Sequence, residues 1–135
     1  MTLRISHLSI DAHDAHAQSH WWAEVLGWSE DPEDPNLPGH EECMIFAPDG
    51  RQRLLFIEVP EPKTLKNRLH LDLVPTDTSR EAEVERLVAL GATQVADHRR
   101  ADGGGWVTLN DLEGNELCVL RSELDQPDPY AHLVR

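Results

Sequence analysis

Basic residues are scarce in this chain: 12 Lys and Arg stand against 25 Asp and Glu, a formal net charge of −13 over 135 residues. A surface of that sign is repelled by phosphate backbones and anionic headgroups, so nucleic acid and membrane are not expected as partners. Long apolar runs are missing as well. Nothing approaches the ~18–20 residues of a membrane span, and MTLRISHLSI lacks the basic-then-apolar layout of a secretory signal. Sulfur is limited to Cys43 and Cys118, apart from the methionines. Without a secretory signal, these two are expected as reduced thiols in a cytoplasmic protein. There is no phosphate-binding P-loop, no GxGxxG, no GxSxG and no CxxC. A nucleotide cofactor is therefore not expected, and several common enzyme classes have no local support. What is present, 39% hydrophobic and 27% charged residues, suits one globular domain or a duplicated small module.

A repeat favours the duplicated module. In NRLHLDLVP (67–75), Leu69, Leu71 and Leu73 share one face of a strand, while His70, Asp72 and Val74 share the other. Laid over it, SHLSIDAHD (6–14) puts His7-Leu8 on His70-Leu71 and Asp14 on Asp77 at an offset of 63. Each copy continues into a helical pattern ending in Leu-Gly, at Leu26-Gly27 and Leu90-Gly91, an offset of 64.

Each module reads as βαβββ. In the first, a strand near Arg4–Asp11 leads to a helix near Asp14–Leu26, with Trp21, Trp22, Val25 and Leu26 on its buried arc and Gly27 as its left-handed cap. Strands are expected near Trp28–Glu30, Glu42–Ala47 and Arg53–Val59. In the second, Thr78 and Glu81 form a capping-box pattern at the start of a helix that buries Val84, Leu87 and Val88. Strands are expected near Thr93–His98, Trp106–Asn110 and Glu116–Leu120, with turns at Gly103–Gly105 and Asp111–Asn115.

With this order, the blocks WWAEVLGW (21–28), KNRLHLDL (66–73), LVALGAT (87–93) and WVTLNDLEGNELCVL (106–120) resemble the vicinal oxygen chelate superfamily. That group includes glyoxalase I, bleomycin-resistance proteins and extradiol dioxygenases, and the chain looks most like its glyoxalase-like domains. Leu112 stands where the family's hairpin usually has proline. The resemblance implies an α+β fold in which two modules, about 4–60 and 67–121, form one domain (1–121) with an open, eight-stranded, barrel-like mixed sheet. Residues 122–135 would be a tail. It also implies a homodimer and a small-molecule ligand in the concave pocket.

Metal-dependent relatives take one ligand from each of four strands. Carried over, the first-strand positions are His7 and His70. The last-strand position of module two, glutamate in the metal enzymes, is Cys118. Its best match in module one is Ile57, next to Glu58. Strand register decides between these two, since a one-residue slip exchanges the faces. The alternation of Leu55, Ile57 and Val59 turns Glu58 toward the pocket, whereas the family alignment turns Ile57 there.

His7, His70 and Glu58 would suit one divalent ion of Zn, Fe, Ni or Mn, and Cys118 in place of Glu58 would favour Zn. With Cys118 in place of a carboxylate base, the proton transfer of glyoxalase I is not expected. Trp106 is a candidate stacking surface and joins Cys118 and Glu58 as a candidate ligand contact. His13, His16 and His20 fall on the solvated side of their helix. The leading expectation is a ligand-binding pocket with a degenerate metal site. Its competitors are a metal-dependent lyase, isomerase or dioxygenase and, more weakly, a drug-sequestering resistance protein.

Overall fold

A computed structural model describes residues 1–134. They form two compact units, Met1–Thr64 and Leu65 onward. In chain order the elements are β1 (Leu8–Ala12), α1 (Ala15–Leu26), β2 (Glu42–Phe46), β3 (Arg53–Glu58), β4 (Leu71–Leu73), α2 (Arg80–Ala89), β5 (Thr93–Asp97), β6 (Val107–Asn110) and β7 (Glu116–Val119). The class is α+β as expected, with one mixed sheet in each unit and neither closed on itself. Among the described residues no helix is long and apolar enough to cross a membrane.

In the first unit the strand order is β1-β3-β2, with β1 parallel and β2 antiparallel to β3. Helix α1 starts where the Asp14 side chain accepts the Ala17 amide at 3.0 Å, satisfying one of the donors a helix start leaves free. It stops at Gly27, whose φ of 68° is the left-handed cap expected from sequence. Trp21, Trp22 and Val25 are buried, with the two indoles edge to face at 5.3 Å.

Register settles the open question in β3. Leu54 and Phe56 are buried beside Cys43 and Ile45 of β2, on the face that α1 covers. Leu55 and Ile57 take the opposite phase and are half-buried. Glu58 therefore shares the phase of Phe56 and is exposed at the strand's end. This corrects the orientation that the alternation of Leu55, Ile57 and Val59 suggested. Four consecutive apolar side chains, Leu54 to Ile57, fit either phase, and the helix decides which one is buried.

The strand expected at Trp28–Glu30 is reduced to one bridge, in which Ser29 and Phe46 exchange both backbone hydrogen bonds at 3.1 and 2.8 Å. Pro32 and Pro35 follow at once, and a residue without an N–H cannot extend a ladder.

In the second unit the order is β4-β7-β6-β5, with β4 parallel to β7 and the other pairs antiparallel. Leu117, Val119, Val107 and Leu109 are at most 1% exposed and form its core face. Helix α2 is capped by Ser79, whose hydroxyl accepts the Ala82 amide at 3.1 Å, and not by Thr78. The Thr78 carbonyl is instead taken by the Ser122 hydroxyl at 2.6 Å. The buried stripe is Arg80, Val84 and Leu87, while Val88 is 45% exposed, contrary to expectation.

Candidate functional site

The polar face of the second sheet gathers the chemistry. Asp72 of β4, Cys118 of β7 and Thr108 of β6 lie side by side in register across three strands. His70, just before β4, shares their phase. Its Nδ1 lies 3.1 Å from Asp72 Oδ1 and 3.9 Å from Cys118 Sγ. On the far side, Thr108 Oγ1 lies 3.5 Å from the same sulfur. His70 and Asp72 are open to solvent, whereas Cys118 is only 5% exposed.

That burial decides the state of the thiol. Desolvation raises the Cys118 pKa, the Thr108 hydrogen bond offsets part of the rise, and the carboxylates of Asp72 and Glu116 push it further up. At neutral pH Cys118 is a protonated thiol, unsuited to act as a base or as a ready thiolate nucleophile.

His70, Asp72 and Cys118 form a group of potential donors whose ligating atoms lie within 4.8 Å of one another. One nitrogen, one oxygen and one sulfur suit a borderline ion such as zinc, with bonds of about 2.0–2.3 Å. They suit a hard, oxygen-seeking ion such as manganese poorly. Binding any ion through the sulfur also requires Cys118 to give up its proton against a raised pKa. The donor set fits a zinc-type ion, weakly.

His7 lies in the first unit, where its Nδ1 meets Ser6 Oγ at 3.0 Å. In that unit's sheet Ser9 stands opposite Leu55, as Asp72 stands opposite Cys118. The repeat pairs His7 with His70, so the counterpart of Cys118 is Leu55, two residues before the aligned Ile57. Both positions carry apolar side chains on the same face. Asp72 was not singled out as a site residue from sequence. The signal that finds it is its place two residues after His70 on the polar phase.

Trp106 precedes β6 in the phase of Thr108 and is 38% exposed. Its ring lies 4.8 Å from that of His98, tilted by 32°. The loop between them is tied down. His98 N donates to Trp106 O at 2.8 Å, and buried Arg80 donates through Nη1 to the carbonyls of Gly104 at 3.1 Å and Gly105 at 3.0 Å. Lys66 is paired with Glu116 at 2.5 Å, a structural role at the edge of this face.

A family model described as a glyoxalase-like domain matches residues 7–120. No curated protein matches the chain. Among solved structures, the chain is similar to the oxidase ChaP-H2, at 24% identity and a TM-score of 0.60, covering 90% of this chain and 94% of that one. It is also similar to a variant of the fosfomycin resistance protein FosX from Listeria monocytogenes, complexed with Mn(II) and 1S,2S-dihydroxypropylphosphonic acid. There the identity is 15% and the TM-score 0.66, over 99% and 100% of the two chains. A third is a possible glyoxalase from Bacillus cereus, at 17% identity and a TM-score of 0.60, over 88% and 99%. At these identities the likeness to solved structures speaks for the fold alone.

Proposed function

Because the chain belongs to the glyoxalase-like domain family, we propose that it binds a small organic molecule on the polar face of the second sheet, where the family's metal site has degenerated. One observation carries this reading: position 118, glutamate in the metal enzymes that the chain resembles, holds a buried thiol whose pKa is raised. Its counterpart in the first module is Leu55. Leu55 offers no ligand atom, and on the second sheet Asp72 is the single carboxylate grouped with His70 and Cys118, fewer oxygens than a hard ion needs.

The same face suits a ligand. His70 and Asp72 offer a donor and an acceptor that water can reach, and Trp106, held by its tied loop, offers a flat apolar surface. A planar ligand carrying oxygens would stack on Trp106 and hydrogen-bond His70.

The test is a thermal-shift screen of oxygenated aromatic compounds in excess EDTA, with hits measured by calorimetry. Binding is expected to persist in the chelator and to fall about tenfold in Trp106→Ala, from lost stacking and buried area. Hits that bind only after a metal is added back would overturn the proposal.

A second reading, a metal-dependent enzyme, is favoured by the gathering of His70, Asp72 and Cys118. A zinc-type ion held there would supply Lewis acidity toward a substrate oxygen. Hits that depend on added metal would support this reading.

A further inference from the structure

On the helix-covered side of the first sheet, α1 and the acidic loop that follows it line a cavity of about 270 Å³. Drug-sized sites begin near ~300 Å³, so this one suits a fragment-sized molecule. Trp28 and Ile45 give it apolar walls, and His20, Ser29, Glu30 and Asn36 give it polar ones. None of its lining residues is Lys or Arg.

Its polar wall is braced from within the unit. Asn36 is 7% exposed, donates its Nδ2 to Met44 O at 2.8 Å and accepts the Met44 amide on Oδ1 at 3.2 Å. Its own amide donates to Glu30 Oε2 at 2.6 Å. The Glu30 carboxylate is thereby fixed through one oxygen, leaving Oε1 for a ligand. Next in the chain come Asp31, Glu33 and Asp34, and no Lys or Arg occurs from Trp28 through Glu42. Glu30 is the one carboxylate among the lining residues, and with three more close to it in sequence it attracts cations and repels anions.

We propose that this cavity is a second small-molecule site, selective for a small primary ammonium compound with a flat apolar body. The ammonium donates a charge-assisted hydrogen bond to Glu30 Oε1, and the body packs on Trp28, whose indole also attracts the cation. The inference uses only residues of the first unit and stands apart from the proposal for the second sheet.

The probe is benzylamine, added to the isotopically labelled full chain and followed in ¹H–¹⁵N spectra, with benzyl alcohol and benzoate as comparators. Saturable shifts are expected at the Trp28 indole N–H, Ser29 and the Asn36 side-chain amide with benzylamine, and none with benzoate. Glu30→Gln keeps an oxygen for the Asn36 amide but loses the charge, and should weaken benzylamine about tenfold or more. His70→Ala should bind it unchanged. If Glu30→Gln fails to fold, Trp28→Leu keeps the carboxylate and is expected to weaken binding about fivefold. Benzyl alcohol binding as tightly as benzylamine would overturn the proposal. So would an unweakened folded variant, or shifts centred on Trp106 and Cys118.

Discussion

Gly105→Ala is expected to destabilise the fold by about 4 kcal/mol, near the upper end for a single substitution. For a chain of this size that is roughly a 15 °C fall in Tm. Gly105 has a φ of +80°, which L side chains rarely adopt, and a Cβ built there would lie 1.9 Å from the His98 carbonyl oxygen and 3.0 Å from Arg99 Cα. Both obstacles are backbone. His98 cannot move aside freely, because its amide is bonded to Trp106 O at 2.8 Å. Gly103 is the control. Its φ is +89°, but its nearest obstacle is the Arg121 guanidinium at 3.0 Å, the far end of a flexible side chain. Gly103→Ala should cost only about 1–2 kcal/mol, the ordinary penalty for a left-handed backbone. Urea denaturation of both variants checks the difference, and equal costs would contradict it.

Arg80→Ala is expected to cost about 3 kcal/mol, because it leaves the part-buried Gly105 carbonyl without its donor, leaves Gly104 O only the Arg100 amide, and opens a hole at the start of α2. The Arg80 side chain is 7% exposed and its Nη1 serves both Gly104 O and Gly105 O. Arg80→Met refills the volume without the donor and should recover about 1 kcal/mol of the loss. Amide exchange would show the effect locally, with faster exchange in the loop 98–106 than in β7. A near-neutral Arg80→Met would mean that packing alone holds this loop. The consequence for the site is direct: the same loop carries Trp106, so loosening it should also weaken ligand stacking.

Sequence patterns near in the chain were legible, and those decided by distant partners were not. The repeat of His7 and His70, the Asp14-to-Gly27 limits of α1 and the polar phase of His70 and Asp72 all follow from spacing within a few residues. The β3 register does not, because Arg53–Val59 offers two apolar phases and only packing under α1 buries Leu54 and Phe56. The capping-box pattern points to Thr78, but Ser79 caps the helix and Ser122, 44 residues away, takes the Thr78 carbonyl. Nothing near Arg80 in the sequence marks it as buried, and its partner carbonyls lie 24 and 25 residues downstream. The polar lining of the first unit's cavity was hidden for the same reason. Asn36 and Glu30 sit in a proline-rich loop, and only the ladder with Met44 shows that they form a wall.

The substitution of a buried thiol for a hard ligand is the central point, and titration of metal-free protein with Mn(II) and Zn(II) tests it most directly. Electron paramagnetic resonance would follow manganese, and competition with a chromophoric chelator would follow zinc. No Mn(II) site is expected up to about 1 mM, since one imidazole, one carboxylate and a thiol serve that ion badly. Zn(II) is expected to bind weakly and more tightly as pH rises, because the Cys118 proton must leave, and Cys118→Ser should weaken it about tenfold or more. Stoichiometric binding of Mn(II) at micromolar concentration, unchanged in Cys118→Ser, would contradict the account and make this face a working metal centre.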